Sequence, residues 1–210
     1  MSKWFPPRRS LAFLVVSGAV AGLLALPAAA AGTRVDESKY GFSFSLPTKW
    51  IKIPLNGSDI SGILDQATKA DPSLKSALTK EVTQAAKGTI KFFALGPIQH
   101  KFASNINIIV VSSAGYPTNS SYFSVADSQV KIELTQAGFK DLQTSVVQLP
   151  MGKEIEATYN LSVKLSGVPA QGLQLYLKHK THIDIITFTS TTKSTNLAAA
   201  KVVEDSWQWN

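Results

Sequence analysis

One stretch of the chain alternates strictly between apolar and polar side chains, over residues 154–165. The apolar positions are Ile155, Ala157, Tyr159, Leu161, Val163 and Leu165, and the polar positions between them begin with Glu154 and Glu156. A period of two residues is typical of a β-strand whose two faces meet different surroundings. The pattern therefore predicts a long strand with one buried face and one solvent-exposed face. On this interpretation Glu154 and Glu156 lie on the exposed face as ordinary ionised carboxylates.

The rest of the chain adds shorter strand and helix signals around this strand. Further strands are predicted at residues 41–46, 50–55, 89–95, 105–112, 173–179 and 182–189, with a short edge strand at 207–209. Helices are predicted between the N-cap Asp71 and the stop signal Gly88, at residues 124–137 and at 194–203. Because short turns join most of the strands, the predicted fold class is α+β: one antiparallel sheet with helices packed on it, and part of the sheet covered on both sides.

The first 31 residues have the layout of a secretory signal peptide. Lys3, Arg8 and Arg9 precede an apolar run over residues 11–26, and small residues at 28–31 supply an A-x-A cleavage site. We expect cleavage near Ala31, a short flexible lead at 32–39 and a single domain at 40–210. An uncleaved N-terminal anchor is the alternative, and only this segment would then contact the membrane. The arginine pair also resembles a twin-arginine signal.

Composition narrows the classes of function. The chain has no cysteine, which excludes disulfides, thiolate chemistry and a lipid-bearing N-terminal cysteine. Residues 1–31 hold three of the 21 basic residues and none of the 14 acidic ones, which leaves 18 against 14 and a net charge of +4. Arg34 is the one arginine among those 18, and the lysines are scattered along the chain. Nucleic-acid binders depend on arginine for phosphate and base contacts, so we expect no nucleic-acid partner.

Short segments spread over the predicted domain resemble the PsbP-like group of exported proteins, which includes DcrB-type and LpqN-type bacterial proteins. They are Phe44-Ser45-Leu46-Pro47 with Trp50, Ile106-Asn107-Ile108, residues 149–153, Tyr159, residues 174–176, residues 186–189 and Ser206-Trp207. The resemblance implies an α/β/α sandwich with a central antiparallel sheet, and a non-enzymatic binding or accessory role. The chain departs from the group at Lys49, where glycine is frequent, and in lacking the lipoprotein cysteine. The resemblance assigns no functional residue to this chain.

Two histidines at a predicted hairpin are the sharpest candidates for a metal site. If Lys180 and Thr181 form a two-residue turn, His179 and His182 face each other and Asp184 lies on the same face. Two imidazoles and a carboxylate suit zinc or copper. Lys-Thr is a poor turn sequence, and Lys180 repels a cation, so a polar hairpin end without metal is the expected state.

No Gly-x-Ser-x-Gly motif or phosphate-binding glycine-rich loop occurs, and only three histidines are present to serve as a general base. We therefore expect no cofactor and no catalysis, with a metal-dependent or hydrolytic envelope enzyme and an anchored structural protein as alternatives. The expected partner is an envelope protein or a small ligand, bound by a monomer. Candidate partner-binding residues are Tyr116, Tyr122 and Phe123 near a polar loop, and Trp207 and Trp209, which are either both buried or both part of an exposed ledge.

Overall fold

The computed structural model describes residues 32–55, 90–99, 102–117, 119, 121–161 and 168–210. The signal segment and the helix predicted between Asp71 and Gly88 lie outside the described residues.

The described chain is mostly strand. In order, the elements are β1 Arg34–Glu37, a 3-10 turn at Ser38–Tyr40, β2 Phe42–Ser45, β3 Ile51–Lys52, β4 Ile90–Gln99, β5 Phe102–Ser112, α1 Tyr122–Gln136, β6 Lys140–Leu149, β7 Gly152–Leu161, β8 Ala170–His179, β9 His182–Ser190, α2 Lys193–Ser206 and β10 Gln208–Trp209. The predicted strands and helices at these positions are confirmed, with boundaries that differ by a few residues, and the part of the strand predicted beyond Leu161 lies outside the described residues.

Two antiparallel sheets contain all of these strands. Seven strands form the main sheet in the order β3-β4-β5-β9-β8-β7-β6, and β1-β2-β10 form a small second sheet. Neighbours along the chain pair as hairpins, β6 with β7 and β8 with β9, so the turns at 150–151 and 180–181 lie at the same end of the sheet. We call this the hairpin end. The α+β class predicted from the short turns is confirmed.

Both faces of the main sheet carry a hydrophobic core. On one face α1 packs over β6 and β7, and its buried residues Ala126, Val130 and Leu134 join a core that includes Ile155 and Ile185. The other face carries Ile106, Leu175 and Phe188 under α2 and the small sheet. Successive residues of β9 alternate between the two cores, as the opposed apolar positions of this strand predicted. The helices therefore lie on opposite faces of one sheet, as in an α/β/α sandwich.

The local structure differs from the sequence-based predictions in three places. Residues 34–37 are not a flexible lead, because β1 pairs with β2 along its whole length and buries Val35. The strand β6 was missed, since it is an edge strand with mostly exposed side chains and so lacks an apolar face. The last helix was predicted to be capped by Ser194, but it begins at Lys193 and its cap is Thr192, whose side chain accepts from the Thr195 N–H.

The turn before Trp50 explains why glycine suits the position of Lys49 in the group that the sequence resembles. Lys49 has φ +68°, in the left-handed region that glycine adopts without cost, and the Trp50 N–H donates to the Pro47 carbonyl. The turn places the Trp50 indole over Gly96 of β4, where any Cβ would overlap the ring. In the described part of the chain, no helix is long and apolar enough to cross a membrane.

Candidate functional site

The β8–β9 hairpin has the register that the metal hypothesis required. His179 and His182 are paired directly across a two-residue turn, Lys180-Thr181, in which Lys180 has φ +50°. The positive φ fits a primed hairpin turn, although lysine is an unusual residue there. The two imidazole rings lie 5.5 Å apart between centroids in an edge-to-face arrangement. The side chains therefore share one face of the sheet, on the same side as α2.

Asp184 lies on that face, below His182. Its side chain is completely buried, between Leu177 of β8 and Val110 of β5 in the strand register. The His182 Nε2 atom is 3.6 Å from Asp184 Oδ1, which is too long for a hydrogen bond, and neither carboxylate oxygen has a hydrogen-bond partner. Burial raises the pKa of Asp184 to about 7. A carboxylate in apolar surroundings is stabilised by protonation, so much of this residue is neutral at pH 7.

The environment of Glu154 differs from the one predicted for the polar face of β7. It was expected to be an exposed, ionised carboxylate, yet only 3% of it is exposed, because the polar face of β7 is also covered at the hairpin end. The pKa of Glu154 is raised to about 8, mainly by burial and also by the charge of Asp184. The Lys178 backbone N–H donates to Glu154 Oε2 at 3.1 Å and lowers the pKa, but by less than burial raises it. Glu156, two residues on, is half-buried. We call Glu154 and Asp184 the buried carboxylate pair.

The two histidines lie above this pair, in surroundings that favour their neutral form. Burial lowers the pKa of His179 and of His182, and the charge of Lys180 lowers both further. The Trp209 ring of β10 stacks on His179 at 4.2 Å and partly covers it. Among the described residues, no group of three or more acidic, histidine or cysteine side chains is arranged to hold a metal ion. The structure thus brings the predicted His179, His182 and Asp184 together without giving them the geometry of a metal site.

The aromatic candidates near the polar loop meet lysines on the opposite face of the hairpin end. Tyr116 and Phe123 are half-buried and pack edge-to-face on the buried Tyr122, with ring centroids at 5.8 and 5.0 Å. The Lys153 ammonium lies 5.0 Å from the centre of the Phe123 ring, and that of Lys178 lies 5.3 Å from the Tyr122 ring. These are cation–π distances. Sequence reasoning counted both lysines as scattered charges, since β6–β7 and β8–β9 pairing is needed to bring them together.

The two C-terminal tryptophans have different environments, so neither alternative proposed for them holds for both. Trp207 is 7% exposed and stacks on Phe42 and Phe44, at 4.8 and 5.5 Å between centroids. Trp209 is half-buried against His179. Tyr122 is likewise buried, so Tyr116, Phe123 and Trp209 are the aromatic candidates that reach the surface.

Two buried asparagines on β5 were also missed. Asn105 and Asn107 face the α1 side of the sheet opposite Thr189 and Thr187, with all four side-chain amide atoms unpartnered. Beside them the Gln174 amide donates to Thr187, and the Tyr176 hydroxyl donates to Gln174. No environment was predicted for them from the sequence; in the structure they lie on the face opposite Ile106 and Ile108, and that face is also covered.

Comparison with protein-family models gives no match, and no curated protein matches the chain. Solved structures with a similar arrangement include a Bacteroides thetaiotaomicron protein, with 13% identity and a TM-score of 0.49 over 86% of this chain. The chain spans about half of that protein, 49% of its length. The cyanobacterial PsbP of Synechocystis sp. PCC 6803 has 12% identity and a TM-score of 0.47, covering 90% of this chain and 99% of its own. LpqN of Mycobacterium tuberculosis, described as involved in cell envelope biogenesis, has 10% identity and a TM-score of 0.43, covering 86% of each chain. The resemblance noted in the sequence predicted that PsbP and LpqN have similar structures. At identities of 10 to 13%, this similarity concerns the fold alone.

Proposed function

We propose that this protein is an exported, non-catalytic accessory protein of the bacterial cell envelope or extracellular space, which binds an acidic segment of a partner protein at its hairpin end. The observation that carries the proposal is the pairing of two lysines with aromatic rings there, Lys153 with the half-buried Phe123 and Lys178 with the buried Tyr122. Removal of residues 1–31 would release the folded domain outside the cytoplasm.

The hairpin end combines the two kinds of side chain that protein interfaces use most. Tyr116 and Phe123 offer aromatic area, which is enriched in binding hot spots. Lys153 and Lys178 are held against rings, so their ammonium groups lose less freedom when a carboxylate binds. The exposed Lys180 at the turn adds a third positive charge to this end. The acidic residues of this end, Glu154 and Asp184, are buried, so the surface offered to a partner is basic.

Burial of the carboxylate pair supports the non-catalytic part of the proposal. A general acid must reach the proton acceptor of its substrate within hydrogen-bond distance. Asp184 is fully enclosed and Glu154 nearly so, and the half-buried His182 has a depressed pKa and no hydrogen bond to orient it. The pair destabilises the fold locally and offers no reactive surface in this conformation.

Reversing two charges of the hairpin end is expected to weaken binding of an acidic peptide. The probe is a fluorescent decapeptide of alternating glutamate and tyrosine, titrated at low salt. The double variant Lys153→Glu, Lys178→Glu should bind at least about tenfold more weakly, because both electrostatic steering and the cation–π contacts are lost. Lys140→Glu, Lys193→Glu makes the same change in net charge at the other end of the sheet and should bind like wild type. Equal weakening by both double variants would refute a localised site.

Export is tested on the native protein in its producing cell. We expect the mature chain in the extracytoplasmic fraction with an N-terminus at or near Gly32. An intact chain starting at Met1 and recovered from membranes would instead establish the uncleaved anchor.

A further inference from the structure

A second site lies at the end of the sheet opposite the hairpin end. There the beginning of β6, the last residues of β7, the first of β8 and the first turn of α2 surround an open groove of about 140 Å³. The groove-lining side chains that matter here are Asp141, Gln143, Thr158, Asn160, Lys193 and Asn196. We call it the far-end groove. Because the two ends of the sheet are separate, a ligand here does not depend on the proposed function of the hairpin end.

The lining chemistry is mainly neutral and hydrogen-bonding. Gln143 and Asn160 carry amides, with donors and an acceptor each, and Thr158 adds a hydroxyl, whereas the buried Asn196 amide shapes the wall of the groove. The single carboxylate and the single ammonium, Asp141 and Lys193, balance each other in charge. Tyr159, Gly172 and Leu173 also line the groove, so polar and apolar surface are mixed there, which does not favour a strongly charged ligand. The groove suits a ligand that carries hydrogen-bond donors and acceptors around its whole periphery.

Two of these amides are held in place by the fold. The Asn160 Nδ2 group donates to Asp141 Oδ2 at 2.7 Å, and Asp141 occupies a bulge between Lys140 and Gln143 with φ +50°. Bulges re-aim side chains, and a non-glycine residue at positive φ carries a backbone cost. On the other wall, the buried Asn196 donates from Nδ2 to the Gln171 carbonyl at 2.9 Å. Pre-oriented amides lose little entropy when they bind.

We propose that the far-end groove binds one residue of a neutral carbohydrate. Sugar hydroxyls donate and accept equally, and a groove of 140 Å³ is well below the size of sites for drug-sized molecules, so it suits a single ring. A sugar ring presents apolar C–H groups beside its hydroxyls, which fits a lining that mixes polar side chains with Tyr159 and Leu173. Single-ring recognition through a few hydrogen bonds gives dissociation constants on the order of millimolar.

The test is a titration followed by NMR of side-chain and backbone amides. The probes are glucose, N-acetylglucosamine and its β-1,4-linked tetramer, with inorganic phosphate as the charged comparison. At least one sugar should produce saturable shifts at Asn160, Gln143 and the first turn of α2. The double variant Gln143→Leu, Asn160→Leu should weaken that binding at least about tenfold, since it removes amides while keeping side-chain size. Gln148→Leu makes the same change on the same edge strand outside the groove and should bind normally.

Three outcomes would overturn the proposal. One is the absence of shifts with every sugar in the millimolar range. Another is saturation by phosphate at Lys193 without a response to sugars, which would make the groove an anion site at the start of α2. The third is sugar binding that persists unchanged in the double variant, because the ligand would then lie elsewhere on the protein.

Discussion

Replacing Asp184 with asparagine is expected to stabilise the protein at pH 8 by on the order of 2 to 4 kcal/mol and to change its stability little at pH 4. The carboxyl of Asp184 has an ordinary pKa of 3.8 when unfolded and about 7 when buried in the fold. Between these values the folded chain holds a proton that the unfolded chain has released, so stability falls as pH rises from about 4 to 7. Above pH 7 the fold contains an ionised carboxylate without a hydrogen-bond partner. Asparagine is neutral throughout, so this loss disappears.

Urea unfolding at a series of pH values measures the effect, as the difference between variant and wild type at each pH. The difference should grow from pH 4 to 7. Glu154, with a pKa of about 8, adds a second loss at higher pH, and this loss is smaller in the variant, because the charge of Asp184 contributes to the raised pKa of Glu154; the difference therefore levels off only above about pH 8. The lowered pKa of His179 and His182 acts in the opposite sense below pH 6.5, because folding there requires their deprotonation. Asp205→Asn, on the exposed side of α2, is the matched control and should show no such growth. A variant less stable than wild type at pH 8 would contradict the assignment.

The buried carboxylate pair shows what an alternating sequence pattern can predict about a strand and what it cannot. The pattern at β7 correctly predicted that Ile155, Ala157 and Tyr159 are buried. It placed Glu154 in solvent because alternation reports that two faces differ, and says nothing of whether the more polar face is also covered. That depends on what packs above it, which is a tertiary property. Alternation is equally silent about Asn105 and Asn107, whose strand lies inside the sheet with cores on both sides.

Register was the other property that the sequence left open. The facing of His179 and His182 depended on a two-residue turn, and Lys180-Thr181 is not a sequence that demands one. In the structure, ladder pairing along β8 and β9 sets the turn length, and Lys180 adopts a positive φ to close it. For the partner surface, Tyr116 and Phe123 were predictable from their loop. Their lysine neighbours were not, since Lys153 and Lys178 come from two different hairpins.

Trp207→Ala is expected to cost about 3 to 5 kcal/mol of folding stability, the usual range for removing a buried aromatic side chain. The Trp207 ring is stacked on Phe42 and Phe44, and it ties the end of α2 to the small sheet. Its buried Nε1 atom has no hydrogen-bond partner. Trp207→Phe therefore keeps most of the packing and gives up no hydrogen bond, and we expect it to cost about 1 to 2 kcal/mol. This variant remains measurable if the alanine variant does not fold.

Trp209→Ala separates a structural tryptophan from a candidate binding one. Trp209 is half-buried and stacked on His179, so its removal should cost only about 1 kcal/mol, the size of a single aromatic contact. Chemical unfolding of Trp207→Ala, Trp207→Phe and Trp209→Ala ranks the variants by stability. Titration of the acidic peptide against Trp207→Phe and Trp209→Ala then measures the effect of each change on binding. Weaker peptide binding by Trp209→Ala, with unchanged binding by Trp207→Phe, would extend the partner surface across the hairpin end to β10. If Trp209→Ala cost as much stability as Trp207→Ala, the two rings would belong to one core and Trp209 would no longer be a surface candidate.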